Sequence, residues 1–180
     1  MKLALRLIFL AAVVGAGIWL WTVFFPSPER AVRNQLTKLA NDVSFAQDQN
    51  NLIKVAHAES VSSFFTTNVE VTVNVPGHHE HSFAGRAEIT QAALESRQAA
   101  RWLSVRFPDV NVSVAPDRQS ATADVTAEVK VSGEADPIVQ ELKFTFEKNG
   151  RQWLIHKVQT VQPVSILNFD RPALRFIMAG

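Results

Sequence analysis

Hydrophobic and polar residues alternate along this chain in several distinct rhythms, and each change of rhythm marks an element. Leu7 to Phe25 is nineteen residues without a charge, in which Thr22 is the only polar side chain. As a helix it would reach roughly 28 Å, close to the roughly 30 Å hydrocarbon core of a bilayer. Phe25-Pro26-Ser27-Pro28 stops that run, with Ser27 placed to cap the next helix and Pro28 at its first position. Val32, Leu36, Leu39 and Val43 then recur at helical spacing, predicting an amphipathic helix from Pro28 to Phe45. A second helix is predicted over Leu52–Ser60, reaching Phe64-Phe65 through a short turn.

The period then falls to two. Val69, Val71, Val73 and Val75 alternate with polar residues as a strand ended by Pro76-Gly77. His78 to His81 reads as a turn, and a short return strand runs through Phe83. Gly85 leads into a helix from Arg86 to about Ala100, with Ile89, Ala93 and Ala100 on its inner face. Four strands are predicted after it: Trp102–Val114, bent or bulged at Pro108, then Ser120–Ser132, Ile138–Glu147 and Trp153–Val161. Asn149-Gly150 is the hairpin turn before the last of them. Separate helices and an antiparallel meander make the fold class α+β.

These rhythms divide the chain into residues 1–26, a cytoplasmic tip and membrane anchor; 27–161, one folded domain; and 162–180, a C-terminal extension. Lys2 and Arg6 precede the apolar run, so the positive-inside rule places the domain outside the cytoplasm. Leu7, Trp19, Trp21 and Phe25 mark the anchor, its aromatic end suiting a membrane interface. A signal peptide cut after Ala16 would leave Ile18 to Phe25 as an exposed apolar end, so an uncleaved anchor is expected. The predicted location is the inner (plasma) membrane, single-pass, with a periplasmic domain.

Composition narrows the chemistry. Net charge is +1, which gives no case for nucleic acid. With no Cys there are no disulfides, thiolate metal ligands or cysteine nucleophiles. Tyr is also absent, beside 12 Phe and 4 Trp.

The element order resembles the nuclear transport factor 2-like superfamily, which includes ketosteroid isomerases and polyketide cyclases. The resemblance covers roughly Pro28 to Val161. Ser82-Phe83-Ala84-Gly85-Arg86-Ala87-Glu88-Ile89 is similar to the short strand and GxxxI helix start of that superfamily. Asn149-Gly150-Arg151-Gln152-Trp153-Leu154-Ile155 is similar to its last hairpin and G-x-W-x-I strand. The resemblance implies a cone-shaped barrel, a curved antiparallel sheet wrapped on about three helices, with Ile89 plugging the cone. It also implies pairing into a homodimer through the sheet face, and it licenses no single activity.

Candidate chemistry is sparse. His156, in the last strand, and Asp109, beside Pro108, are the candidate general bases. The alternation around His156 does not settle its face, because Leu154 and Ile155 are both apolar. A ketosteroid-isomerase-like site also needs a Tyr donor, which this chain lacks. Phe64, Trp102, Phe144 and Trp153 are candidate pocket-lining residues or simply core. In His78-His79-Glu80-His81 the expected state is a solvated tip; His79 and His81 are the alternative metal pair, without an evident closing ligand. No cofactor is expected. The leading expectation is a non-catalytic module that binds a protein partner or a small apolar ligand. The alternative is an anchored cyclase- or isomerase-like enzyme acting on a small apolar substrate inside the cone.

Overall fold

The computed structural model describes residues 27–46, 51–74 and 81–161, with Val14 alone before them. Leu7, Trp19, Trp21, Phe25 and the extension 162–180 lie outside the described residues, as do His78 and His79. Among the described residues no helix is long and apolar enough to cross a membrane. The described residues form an α+β domain, with three helices on a curved six-stranded sheet.

Helix α1 is Pro28–Val43, α2 is Asn51–Ser63 and α3 is Gly85–Ala99. The Ser27 hydroxyl accepts from the Arg30 amide at 3.4 Å, and Pro28 occupies the first turn. Val32, Leu36, Leu39 and Ala40 form the buried stripe of α1. The helix stops two residues before the predicted Phe45. Ser44 turns extended, and its hydroxyl donates back to the Ala40 carbonyl at 2.7 Å. That turn frees Phe45 to bridge Leu103.

The strands are β1 Phe65–Val73, β2 His81–Ala84, β3 Leu103–Val114, β4 Ser120–Val131, β5 Ile138–Asn149 and β6 Gln152–Thr160, in the spatial order β2-β1-β6-β5-β4-β3. The sheet is not wholly antiparallel as predicted, because β1 pairs β6 in parallel. Those two strands are the first and last of the sheet in chain order, joined by no hairpin, so their relative direction is free. β1 also starts four residues before Val69, since Phe65 already pairs with Ile155 and the register then slips before Glu70.

Two further irregularities set which side chains face inward. On β3, Arg106 pairs with Glu128 and Asp109 with Thr126, so Phe107 and Pro108 together oppose one residue. This is the bulge expected at Pro108, whose missing N–H cannot serve the ladder. On β6, Ile155 pairs with Phe146 and Lys157 with Thr145, leaving His156 as the extra residue of a bulge. The bulge keeps both Ile155 and Val158 in the core, three apart.

The core lies between the concave sheet face and the helices. β4 offers Ala121, Ala123 and Val125, opposite Phe146, Phe144 and Leu142 of β5. Small residues on one strand make room for rings on the next. Phe146 is fully buried. Its ring stacks on Phe144 at 6.2 Å, and Phe144 meets Phe107 edge-on at 5.9 Å. Ile89 joins this cluster from α3. Gly85, at φ +80°, makes the strand-to-helix turn that aims α3 there.

Candidate functional site

Among the described residues, the interior of the cone, the cleft beside α1 and the junction of the three helices are candidate places for chemistry.

Among the described residues the interior carries a continuous core cluster. Phe64, Phe144 and Trp153, three of the candidate lining residues, are buried within the main core cluster. Trp102 departs from the expectation: it is 40 % exposed and precedes the first residue of β3. The inward phase of that strand includes Phe107, so Trp102 falls in the outward phase at the sheet's rim. Its carbonyl accepts from the Ser132 amide at 3.1 Å.

Neither candidate base reaches the interior. Asp109 is exposed and alternates with the half-buried Val110 and Val112 that pack on the core. His156 lies outside too. Its Nδ1 is 3.8 Å from Glu147 Oε1 and 3.5 Å from the Thr66 hydroxyl. Glu147 alternates with the inward Phe146, so this contact belongs to the convex side. Asp124 is exposed on the same convex face, as its alternation with alanine and valine requires. His81 stacks on Phe83 with ring centroids 6.4 Å apart. Among the described residues no three His, Asp or Glu groups converge as metal ligands.

The cleft beside α1 has a volume of about 170 Å³ and is walled by Leu36, Ala40, Val105, Phe107 and Val110, with Thr37 and Asn41 at its lip. It follows the edge strand β3. Phe45 covers the start of that edge, exchanging backbone hydrogen bonds with Leu103 at 2.8 and 2.9 Å. The Ser44 hydroxyl accepts from the Val105 amide at 2.9 Å. The cleft is small and open beside the roughly 300–1,000 Å³ of ordinary ligand pockets.

The helical junction holds the one buried charge among the described residues, Arg97, at 3 % exposure. Its Nη2 donates to the Asp42 carbonyl at 2.7 Å and its Nη1 to the Ala93 carbonyl at 3.0 Å. The guanidinium carbon lies 5.2 Å from the centre of the Phe45 ring. Asp42 in turn accepts from the Ser60 hydroxyl at 2.6 Å on its carboxylate. One arginine of α3 therefore ties the Asp42 carbonyl near the end of α1 to α3, while the Asp42 carboxylate ties α1 to α2. Burial pushes the Arg97 pKa down, and the Asp42 charge acts in the opposite direction. Arginine stays protonated under such shifts. The sequence signal was present: Arg97 follows Ile89 and Ala93 at intervals of four, on the same inner stripe. Asp42, one residue before the end of α1, is half-buried in this junction.

The geometry thus defines a domain with a packed cone, a polar convex face and no convergent acid–base set among the described residues. Comparison with solved structures identifies the fold. A protein of Novosphingobium aromaticivorans described as NTF2-like with a cystatin-like fold superposes with a TM-score of 0.57 at 17 % identity, over 84 % of this chain and 89 % of its own. An NTF2-like protein of unknown function from Pseudomonas putida gives 0.56 at 9 % identity, over 77 % and 89 %. A candidate scytalone dehydratase from Novosphingobium aromaticivorans gives 0.51 at 16 % identity, over 74 % and 83 %. No family model matches the chain, and no curated protein matches it. The domain has the nuclear transport factor 2-like fold. Its structural neighbours include proteins of unknown function and proteins with enzyme names, so this likeness carries the architecture and leaves the activity to the site.

Proposed function

We propose that the chain is a membrane-anchored, extracytoplasmic NTF2-like domain that works as a non-catalytic interaction or ligand-binding module. The observation that carries this reading is the filled cone. Phe107, Phe144 and Phe146 pack ring against ring on the concave face, with centroids 5.9 and 6.2 Å apart. Both candidate bases, Asp109 and His156, lie on the convex side. A general base must come within hydrogen-bond reach of the proton it takes, and neither residue is among those walling the cleft beside α1. The anchor rests on the uncharged run Leu7–Phe25 and the preceding Lys2 and Arg6.

Partner binding is the stronger form of the reading, because the cleft along β3 is too small to engulf a drug-sized ligand. Pairing through the convex sheet face is the weaker form. That face carries Arg106–Glu128 at 2.8 Å and Lys157–Glu70 at 3.8 Å, which a dimer would have to desolvate. The test is crosslinking of the full chain in native membranes after alkaline extraction. A membrane-retained product heavier than the monomer is expected. Only monomer in the membrane fraction would sink the interaction reading, and loss of the chain to the alkaline supernatant would sink the anchor.

A further inference from the structure

We infer that the end of the domain bearing the β3–β4 and β5–β6 turns rests on anionic phosphate headgroups, with the opposite end turned away from the bilayer. This orientation builds on the anchored reading above, and the fold supplies the direction. α1 finishes at the start of β3, where Ser44 and Phe45 bond Val105 and Leu103. Its sixteen residues carry the chain back about 22 Å from there, so Pro28 lies toward the far end of β3. The apolar run stops at Phe25, three residues and at most about 10 Å of extended chain before Pro28. A bilayer holding Leu7–Phe25 therefore meets the turn end first.

The charges of the two ends agree with that direction. At the turn end Arg30, Arg33, Arg118 and Arg151 are exposed, and the half-buried Lys148 stands over the Trp153 ring at 5.9 Å. The acids there are Glu29, Asp117 and Glu147, which leaves the cations in excess. Guanidinium forks suit phosphate oxygens, and each cation near an anionic surface contributes about 1 kcal/mol. The other end is acidic and apolar instead. Glu134 and Asp136 occupy the β4–β5 turn, with Arg101 beside Ser132 and Lys130 near the end of β4, paired to Glu128, as the counter-charges. Trp102, Val139 and Val161 are exposed there, Val139 at 58 %. An anionic surface repels that end and leaves its apolar rim free for a partner outside.

The chain contains no Cys, so single-cysteine labels can be placed cleanly. Gln119→Cys reports the turn end and Ala135→Cys the other; both positions are exposed. The full chain is reconstituted in phosphatidylcholine vesicles with or without phosphatidylglycerol, and each fluorophore is quenched by a headgroup nitroxide lipid. The expected result is strong quenching at position 119 only with phosphatidylglycerol, and little at 135 with either lipid. Arg118→Glu with Arg151→Glu should lower the docked-to-undocked ratio more than about tenfold. High salt should do the same without any substitution, through screening. Equal quenching at the two positions, or quenching indifferent to phosphatidylglycerol, overturns the orientation and leaves the anchor standing. A chain that does not float with the vesicles overturns the anchored reading itself.

Discussion

On the β4–β5 ladder, side chains one residue apart in sequence are held by different physics. Phe144 and Phe146 point into the cone with Ala121, Ala123 and Val125 opposite them. Lys143 and Thr145, between and beside those rings, point out toward Asp124 and Thr122. The inner set is fixed by volume, because a ring fits only where the facing strand supplies a methyl group. The outer set is fixed by polar pairs that water can replace at little cost. An enzyme of this shape would relax the first rule to open a pocket. Here small residues of β4 face the rings of β5 along the described ladder.

Substituting a core ring is the strongest way to test that contrast. Phe146→Ala should destabilise the domain by about 3–5 kcal/mol, since it removes a fully buried ring from a filled interior. Urea denaturation reads this directly. A cost well under about 2 kcal/mol would mean that the cone tolerates a void there, and would reopen the question of an interior site.

Next in size is the helical junction, where the inner side contains a charge. Arg97→Met keeps the hydrophobic stem but strips donors from the Asp42 and Ala93 carbonyls. We expect a loss of about 1–3 kcal/mol, set by those two desolvated acceptors. Arg97→Ala should cost more, because the stem's packing is lost too. If Arg97→Met denatures at the wild-type midpoint, the junction is held by packing alone and the hydrogen bonds at Arg97 add nothing net.

Element type was legible in the sequence wherever one rhythm dominated. The stripe Val32, Leu36, Leu39 and the alternation of Ala121 to Val131 each correspond to one observed element. Features set by long-range pairing were not legible. The parallel β1–β6 contact joins segments about ninety residues apart, and nothing local encodes its direction. The face of His156 depended on a bulge that exists because Phe146 and Thr145 impose the register of β6. The face of Trp102 was not legible either: an aromatic residue just before a strand can fall in either phase, and here it is 40 % exposed. The inner stripe of α3 did contain Arg97, but an arginine is ordinarily assigned to solvent.

A smaller effect is expected where the concave face is entered. Gly85→Ala places a Cβ 3.4 Å from the Thr67 carbonyl oxygen at a φ of +80°. The left-handed backbone should cost about 1–2 kcal/mol, or roughly 2–8 °C in Tm for a chain of this size. If Gly85→Ala melts with the wild type, the turn relaxes freely and the aim of Ile89 into the cone does not depend on it.

The convex face should give the smallest change, and its signature is pH dependence. The hydrogen bond from Arg106 holds the Glu128 carboxyl below its ordinary pKa; partial desolvation opposes this, and Lys130 at 3.4 Å adds to it. A carboxylate depressed in the folded state stabilises the fold above its unfolded pKa, near 4.3, and that contribution is lost as pH falls through the lower folded value. Glu128→Gln should therefore differ slightly from wild type near neutral pH and converge with it in thermal melts below about pH 4. Salt should shrink the same difference, because Arg106 is well exposed and its pairing is screened. A difference that grew on acidification would mean that Glu128 stabilises the fold in its protonated form. The convex face would then follow the packing logic of the cone instead of the exchangeable pairs of a wet surface.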